Sequence, residues 1–444
     1  MVAFLPSRPG RLADVPSFAR AIGGAESNVA CALATAGHRV KWVGRVGRDG
    51  FGLHLVETIG AYGVDVTAVG HDPHRPTGVY FRTDEDRATE AHEVAYYRAG
   101  SAASAMSPET VPYDTVADAW ILHLTGITAA LSADCLALVR DLTAPRPGRP
   151  LVSFDVNHRP GLWRDGGAPE VLLELARRAD LVFVGEDEAK ALWGLRDPVA
   201  IRGALPEPAV LVVKGGGEGA VVFERGAASS PTPPLPQPGA SPQTPVRPAA
   251  VPSNAGRAEI QPHRRLRGGG PGAEPLVREG AGWGTAPCSG PASAPGVSAS
   301  DTITSASASD TSASASDTSA SASDTITSAS DTITSAPDTV TSVPAPRVDI
   351  VAPVGAGDAF AAGFLSATLR GLDTTARIRH GHLMAAAALT VPGDVAVPPR
   401  RAHADRLAAL DASAWETLHL GPGWTGDDQE GPDRSGDDQE VRTP

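Results

Sequence analysis

Over the first 225 residues, apolar positions alternate between two rhythms. Short runs of β-branched and other apolar residues predict strands at Val40–Val43, Trp120–Leu124, Leu151–Phe154, Leu181–Val184, Val210–Val213 and Ala220–Phe223. Longer stretches between them predict helices, such as Ser27–Ala36 and Phe51–Tyr62, each followed by a terminating glycine, Gly37 or Gly63. Strand and helix in alternation predict a parallel sheet covered by helices on both faces. Thr77–Ala102 interrupts this rhythm and reads as two strands around a polar turn at Asp84–Arg87. The α/β pattern returns near residue 347. There a strand is predicted at Arg347–Val351, then a helix presenting Phe360, Phe364, Leu365 and Leu369 on one face and stopping at Gly371, then a helix through Ala376–Leu389.

Residues 226–346 break the pattern. Pro-, Gly- and Arg-rich sequence (Pro231–Pro238, Arg264–Gly270) gives way to Ser, Ala, Thr and Asp, with Asp310, Asp317, Asp324, Asp331 and Asp338 spaced seven apart. The heptad spacing offers no apolar seam for a coiled coil. Such a segment cannot bury enough apolar surface to offset its ordering entropy, and is expected to be a disordered insertion. Residues 416–444, which repeat Gly-Asp-Asp-Gln-Glu, are expected to form an acidic disordered tail. The predicted domain is thus 1–225 plus 347–415, about 300 residues, enough for one large core.

Charge and cysteine usage narrow the function classes. A net charge of −13 argues against nucleic acid, which requires a basic face. Cys31, Cys135 and Cys288 are scattered without metal or disulfide spacing, as suits a reducing cytoplasm. No run of about 18 apolar residues is present and the start lacks signal-peptide character, so neither a membrane partner nor export is expected.

The most informative motif is Val354-Gly355-Ala356-Gly357-Asp358-Ala359-Phe360. Gly355 and Gly357 allow a tight turn that brings bare N–H groups to a ligand, and the helix that follows adds a positive dipole end suited to phosphate. Asp358 in its first turn can take a proton from a hydroxyl while the N–H groups of Ala356, Gly357 and Asp358 hold the transferring phosphoryl charge. The same Asp could simply cap the helix. Upstream, Gly23-Gly24-Ala25-Glu26-Ser27-Asn28 opens a helix in a way that suits either ligand approach or a structural turn.

Together these segments resemble the two signatures of the ribokinase-like (PfkB) family of sugar kinases. The first looks like Gly23 through Gly37 with Val43–Gly52, the second like Pro353–Leu365, and the likeness covers about two thirds of the chain. It implies a three-layer α/β/α core with a small β-sheet lid from about 1–12 and 77–102, ATP and Mg2+ as cofactors, and a possible homo-oligomer paired through the lids. Within the family, Thr77-Gly78-Val79-Tyr80, Tyr96–Ala102, Leu124–Ile127 and Asp155–Arg159 are most similar to kinases of the acidic sugar 2-dehydro-3-deoxygluconate. By that resemblance Arg98 and Arg159 would grip the carboxylate, Tyr80 and Tyr96 would close the pocket, and Gly23, Gly24, Asn28, Ile127 and Asp394 would contact the sugar. Bidentate arginine is the physical device suited to a carboxylate. The resemblance also implies that Lys214, Gly215, Gly217 and Gly219, with Gly355 and Gly357, approach the nucleotide, and that Glu188 organises magnesium through water.

Three departures from the family pattern matter. Matching on Gly23–Glu26 sets Met1 inside the first lid strand, so about ten residues forming the first core strand are expected to be missing, with the true start upstream. Ala352 replaces a polar residue before the glycine turn. The insertion replaces a short connection, so its ends are expected to lie close together. Alternatives left open are another kinase of the family (fructokinase, ribokinase or 2-dehydro-3-deoxygalactonokinase) and a ligand-binding homologue with impaired catalysis.

Overall fold

The computed structural model describes residues 1–8, 10–83, 93–163, 166–226, 337–393, 395 and 398–426. The Asp84–Arg87 turn, Asp394, the insertion from 227 to 336 and the tail beyond 426 lie outside the described residues.

The chain opens with β1 (Val2–Pro6), β2 (Phe18–Ile22) and α1 (Ala25–Thr35), then β3 (Gly44–Gly47), α2 (Gly50–Ala61) and β4 (Val69–Asp72). Next come β5 (Val79–Arg82), β6 (Val94–Tyr97), β7 (Ile121–Thr125), α3 (Gly126–Ala129) and α4 (Ala133–Leu142). The central part runs β8 (Leu151–Asp155), α5 (Ala168–Arg177), β9 (Leu181–Gly185), α6 (Glu186–Trp193), α7 (Pro198–Ala204), β10 (Val210–Lys214) and β11 (Ala220–Glu224). It resumes with β12 (Thr339–Val343), β13 (Arg347–Val348), α8 (Ala356–Leu369), α9 (Thr374–Leu389), α10 (Arg401–Ala408), α11 (Ala412–Glu416) and β14 (His419–Leu420).

Six strands form the main sheet in the order β12-β11-β10-β9-β8-β7. β7 to β10 are mutually parallel, whereas β11 and β12 add as antiparallel strands. All five residues of β9 are buried, the uninterrupted apolar run of a strand covered on both faces. One face packs Leu138 and Val139 of α4, Leu172 and Leu175 of α5 and Ile201 of α7. The other packs Val29 and Leu33 of α1, Phe360 and Phe364 of α8, and Ile378 and Leu383 of α9. Sheet and two helix layers give the expected three-layer α/β/α core. Gly381 of α9 lets α8 approach closely, because a Cβ there would meet the Phe360 ring at 2.8 Å.

A separate four-stranded sheet, β2-β1-β5-β6, forms the lid. It includes Phe18–Ile22, a strand the sequence reading did not separate. Asp49, the N-cap of α2, ties the lid to the core by accepting from Gly52 N at 2.7 Å and Thr77 N at 2.8 Å.

Two predicted strands shift. Val40–Val43 contributes only a single bridge, Lys41 to Asp65, and the strand is Gly44–Gly47 instead. Gly47 lies so close to the 75–77 backbone that a Cβ would sit 2.7 Å from the Arg75 carbonyl. Arg347–Val351 shrinks to β13, paired with β14, and the strand continuing the sheet is β12, inside the segment read as insertion. Thr339-Val340-Thr341-Ser342-Val343 is β-branched enough to add to β11, and Asp338, last of the heptad aspartates, is pinned by Arg202 at 2.6 and 3.1 Å. The fold also extends past 416: buried Trp415 donates to the Pro344 carbonyl at 2.8 Å, and β14 follows it.

Candidate active site

The site forms where α8, β8 and α1 converge. Gly355 takes φ +77° and turns the chain so that α8 starts at Ala356 with Asp358 in its first turn. Two amides from distant segments hold the Asp358 carboxylate: Asn28 Nδ2 donates to one oxygen at 2.9 Å, Asn157 Nδ2 to the other at 3.2 Å. Asn157 sits just past β8 at φ +39°, the single non-glycine residue with positive φ among the described residues. Backbone strain of this kind persists only where the surroundings over-determine it. With their NH2 groups turned to Asp358, the Oδ1 atoms of Asn28 and Asn157 are buried without a partner. A ligand hydroxyl is the group that would satisfy such acceptors. Burial pushes the Asp358 carboxyl up to about 6; the Asn28 hydrogen bond opposes this, the Asp155 charge adds to it, and Lys214 and Arg159 counter it. A carboxylate poised near neutrality is suited to general-base work.

Lys214, at the end of β10, reaches both Asp155 oxygens, at 3.1 and 2.9 Å, and Asp155 at the end of β8 is 1% exposed. Burial disfavours the ammonium, but Asp155, Glu188 and Asp358 outweigh that and hold Lys214 above its ordinary value. Its Nζ lies 3.7 Å from the point where a Gly357 Cβ would stand, so the ammonium sits beside the glycine turn. Glu188 accepts from Gly185 N at 2.8 Å and His158 N at 2.9 Å, and burial raises its carboxyl. Among the described residues no group of three or more His, Cys, Asp or Glu could hold a metal unaided.

The other predicted residues divide. Glu26, on the first turn of α1, accepts from Thr125 Oγ1 at 2.7 Å and Thr128 Oγ1 at 2.6 Å, and its charge acts on Arg98. Arg98 is half-buried, and its Nε is buried without an acceptor. Gly24, Glu26, Arg98, Ile127 and Thr128 line one cavity of about 950 Å3. Tyr80 is buried in the lid and its ring lies 5.7 Å from that of half-exposed Tyr96. Gly23 engages Met1 through both its N–H and its carbonyl, so Gly24 is the glycine left facing the cavity.

Arg159 is expected to share a carboxylate with Arg98. It stands 4.0 Å from Glu188 and near enough to Asp358 to affect its titration, whereas Arg98 faces Glu26. Gly215, Gly217 and Gly219 follow Lys214 in the β10–β11 connection. Gly219 has a structural reason to be glycine: φ +124° and the adjacent Val343 carbonyl of β12 both exclude a side chain. Asp394 lies outside the described residues. The sequence reading singled out only Arg159 from Asp155-Val156-Asn157-His158-Arg159, missing Asp155 and Asn157. The available signal was an aspartate closing a buried parallel strand and an asparagine two residues on, where α/β sheets gather their ligands.

The model of the pfkB family carbohydrate kinases matches residues 2–238 and 326–401. A 2-dehydro-3-deoxygluconokinase from Thermoproteus tenax is 37% identical over 224 residues, 50% of this chain and 68% of that protein. The 2-dehydro-3-deoxygluconokinase of Bacillus subtilis (strain 168) is 36% identical over 208 residues, 45% of this chain and 62% of its own length. Among solved structures, a PfkB protein from Polaromonas sp. JS666 superposes with a TM-score of 0.58 at 25% identity, covering 92% of this chain and 97% of that one.

Proposed function

The chain belongs to the pfkB family of carbohydrate kinases, and we propose that it transfers the γ-phosphoryl group of ATP to the C6 hydroxyl of 2-dehydro-3-deoxy-D-gluconate. The observation that carries this reading is Asp358, held by Asn28 and Asn157 at the start of α8 with its carboxyl raised to about 6. Asp358 takes the proton of the attacking hydroxyl, and the two amides fix which oxygen faces it. The backbone N–H groups of Ala356, Gly357 and Asp358 have no earlier helical carbonyl to bond, so they receive the charge on the transferring phosphoryl. Lys214 holds a positive charge at the same helix start and is itself fixed by Asp155. Magnesium bound with ATP supplies neutralisation of the phosphate oxygens. Glu188 suits a water-mediated role towards it, because each of its oxygens accepts a single backbone N–H and keeps a lone pair.

Substrate identity rests on the Thermoproteus tenax and Bacillus subtilis relatives and on Arg98. A half-buried arginine with a buried, unpaired Nε in the wall of the cavity is suited to a carboxylate. Arg159, beside Asp358 and Glu188, serves the phosphoryl end instead. ADP release measured with 2-dehydro-3-deoxygluconate, its galacto isomer, fructose and ribose tests the assignment. Selectivity for the deoxy keto acids, lost in Arg98→Ala through KM, is the expected result. Equal turnover of neutral sugars would discard the acidic substrate.

A further inference from the structure

The main sheet does not hold the strand that leads into the glycine turn. β12 ends at Val343 on the edge of that sheet, and residues 344–354 then cross to Gly355 and the start of α8. β13 lies within this crossing, and among the described residues its one strand partner is β14. α8 is anchored separately, by the close approach of Gly381 to Phe360 and by the two amides on Asp358. The crossing keeps its place through contacts of its own.

Those contacts come from two sides. Leu389, ending α9, has a carbonyl free of helical bonding and accepts from Val351 N at 2.7 Å and Ala352 N at 3.2 Å. The C-terminal arm holds the earlier part. The Leu418 carbonyl accepts from Arg347 N at 2.9 Å, the Leu420 carbonyl accepts from Asp349 N at 3.0 Å, and Trp415 Nε1 donates to the Pro344 carbonyl at 2.8 Å. Trp415 and Leu420 are buried, and the Arg379 guanidinium of α9 lies 4.8 Å over the Trp415 ring while donating to the Ala408 carbonyl at 2.9 Å. The arm is thus packed onto the same helix that holds Val351 and Ala352, and it lies beyond residue 401, the last that the family model matches. Pro344 in turn abuts Gly219, where a Cβ would sit 2.8 Å from the Pro344 Cα, so the hold on Pro344 also bears on the β10–β11 connection.

We propose that residues 415–421 position the glycine turn for the phosphates of ATP. By pairing with β13 and gripping Pro344, the arm sets where the N–H groups of Ala356 and Gly357 stand, while α9, Asn28 and Asn157 set Asp358. The inference rests on the reading of that turn as the phosphate site. Backbone donors act through preorganised geometry, and a displacement of about 1 Å can cost about 100-fold. Loosening the arm is therefore a loss of nucleotide binding with the base left intact. The contact of His419 Nε2 with Asp349 Oδ1, at 2.8 Å, is more than half exposed on both sides and contributes little beside the backbone pairs.

The test uses the full chain with Asp349→Pro, which removes the N–H donor to Leu420, and with Leu420→Ala, which loosens β14 from the other side. His419→Ala is the side-chain control. Hydrogen exchange read by mass spectrometry needs no ligand: in the first two variants the amides of 351–358 are expected to exchange about 10- to 100-fold faster, with β8 to β10 unchanged. MgATP binding by titration calorimetry is expected to weaken about tenfold, with KM for the acceptor sugar within about twofold and the acid limb of the pH–rate profile still near 6. The double variant should be no worse than the worse single one, because both act on one contact. His419→Ala should match the parent, and so should Leu420→Met, which is close in volume. Unchanged exchange at 351–358 in both variants overturns the proposal. So does an equal loss of sugar and MgATP affinity, or a His419→Ala protein that reproduces the whole effect. Faster exchange in the variants of a parent that binds no MgATP would discard the phosphate reading of the turn and retain the arm as its anchor.

Discussion

Replacing Lys214 by Met separates the structural and chemical consequences of one buried charge. The ammonium lies 2.9 and 3.1 Å from the two oxygens of Asp155, a residue 1% exposed. Removing one partner of a buried pair leaves the other uncompensated and costs about 3–5 kcal/mol. At about 2–4 °C per kcal/mol for a domain of this size class, the unfolding midpoint should fall by about 6–20 °C. Lys214 also favours the ionised form of Asp358, so its loss should move the acid limb of the pH–rate profile upward from about 6. The double substitution Lys214→Met with Asp155→Leu removes both charges and should recover most of the stability, because apolar replacement of a buried pair is often neutral, while leaving activity impaired. Urea denaturation of the three proteins, with pH–rate profiles of the active ones, checks both effects. A Lys214→Met protein within about 1 kcal/mol of the parent, with an unmoved acid limb, would refute the reasoning.

Further outcomes follow from single contacts. Because Asp358 must be ionised to accept a proton and its carboxyl is raised to about 6, kcat should be flat above that pH and fall about tenfold per unit well below it. A profile flat down to pH 4.5 would remove Asp358 as the titrating base. Asn157→Leu keeps the carboxylate but frees one of its oxygens, so kcat should drop by about 10- to 100-fold with the folded state intact by circular dichroism; an unchanged kcat would make the Asn157 contact incidental. Gly219→Ala must place a side chain at φ +124° against the Val343 carbonyl and should cost about 1–3 kcal/mol in urea unfolding. An undiminished Gly219→Ala protein would show that the β10–β11 turn yields freely.

The parts of the molecule most legible in the sequence are those written in periodicity. β7 to β11 fall within a residue or so of their apolar runs, because a strand buried on both faces has to be a continuous apolar stretch. β12 was hidden because Thr339–Val343 shares its composition with the repeats before it, and what distinguishes it is pairing with β11, a long-range event. β3 falls just after the predicted Val40–Val43 run, where Gly47 fits closely against the 75–77 backbone. At the site, the local motif carried Asp358 and its helix start directly. Asn28 was named for sugar contact, yet its amide lies 2.9 Å from a carboxylate 330 residues away in sequence. Asn157 and Asp155 went unassigned because their importance comes from what β10 and α8 bring to them. The neighbours of Arg98 and Arg159, Glu26 for the one and Glu188 for the other, are of the same kind, since charge alone does not say which acid an arginine faces.

The most direct test of the central claim is the fate of the phosphoryl group, followed by 31P and 13C nuclear magnetic resonance with ATP, magnesium and 13C-labelled 2-dehydro-3-deoxygluconate. The account predicts a phosphate monoester coupled to C6, formed by the parent protein and reduced by about 10²- to 10⁴-fold in Asp358→Asn. Release of inorganic phosphate without an ester, an ester at another carbon, or equal ester formation by Asp358→Asn would contradict it.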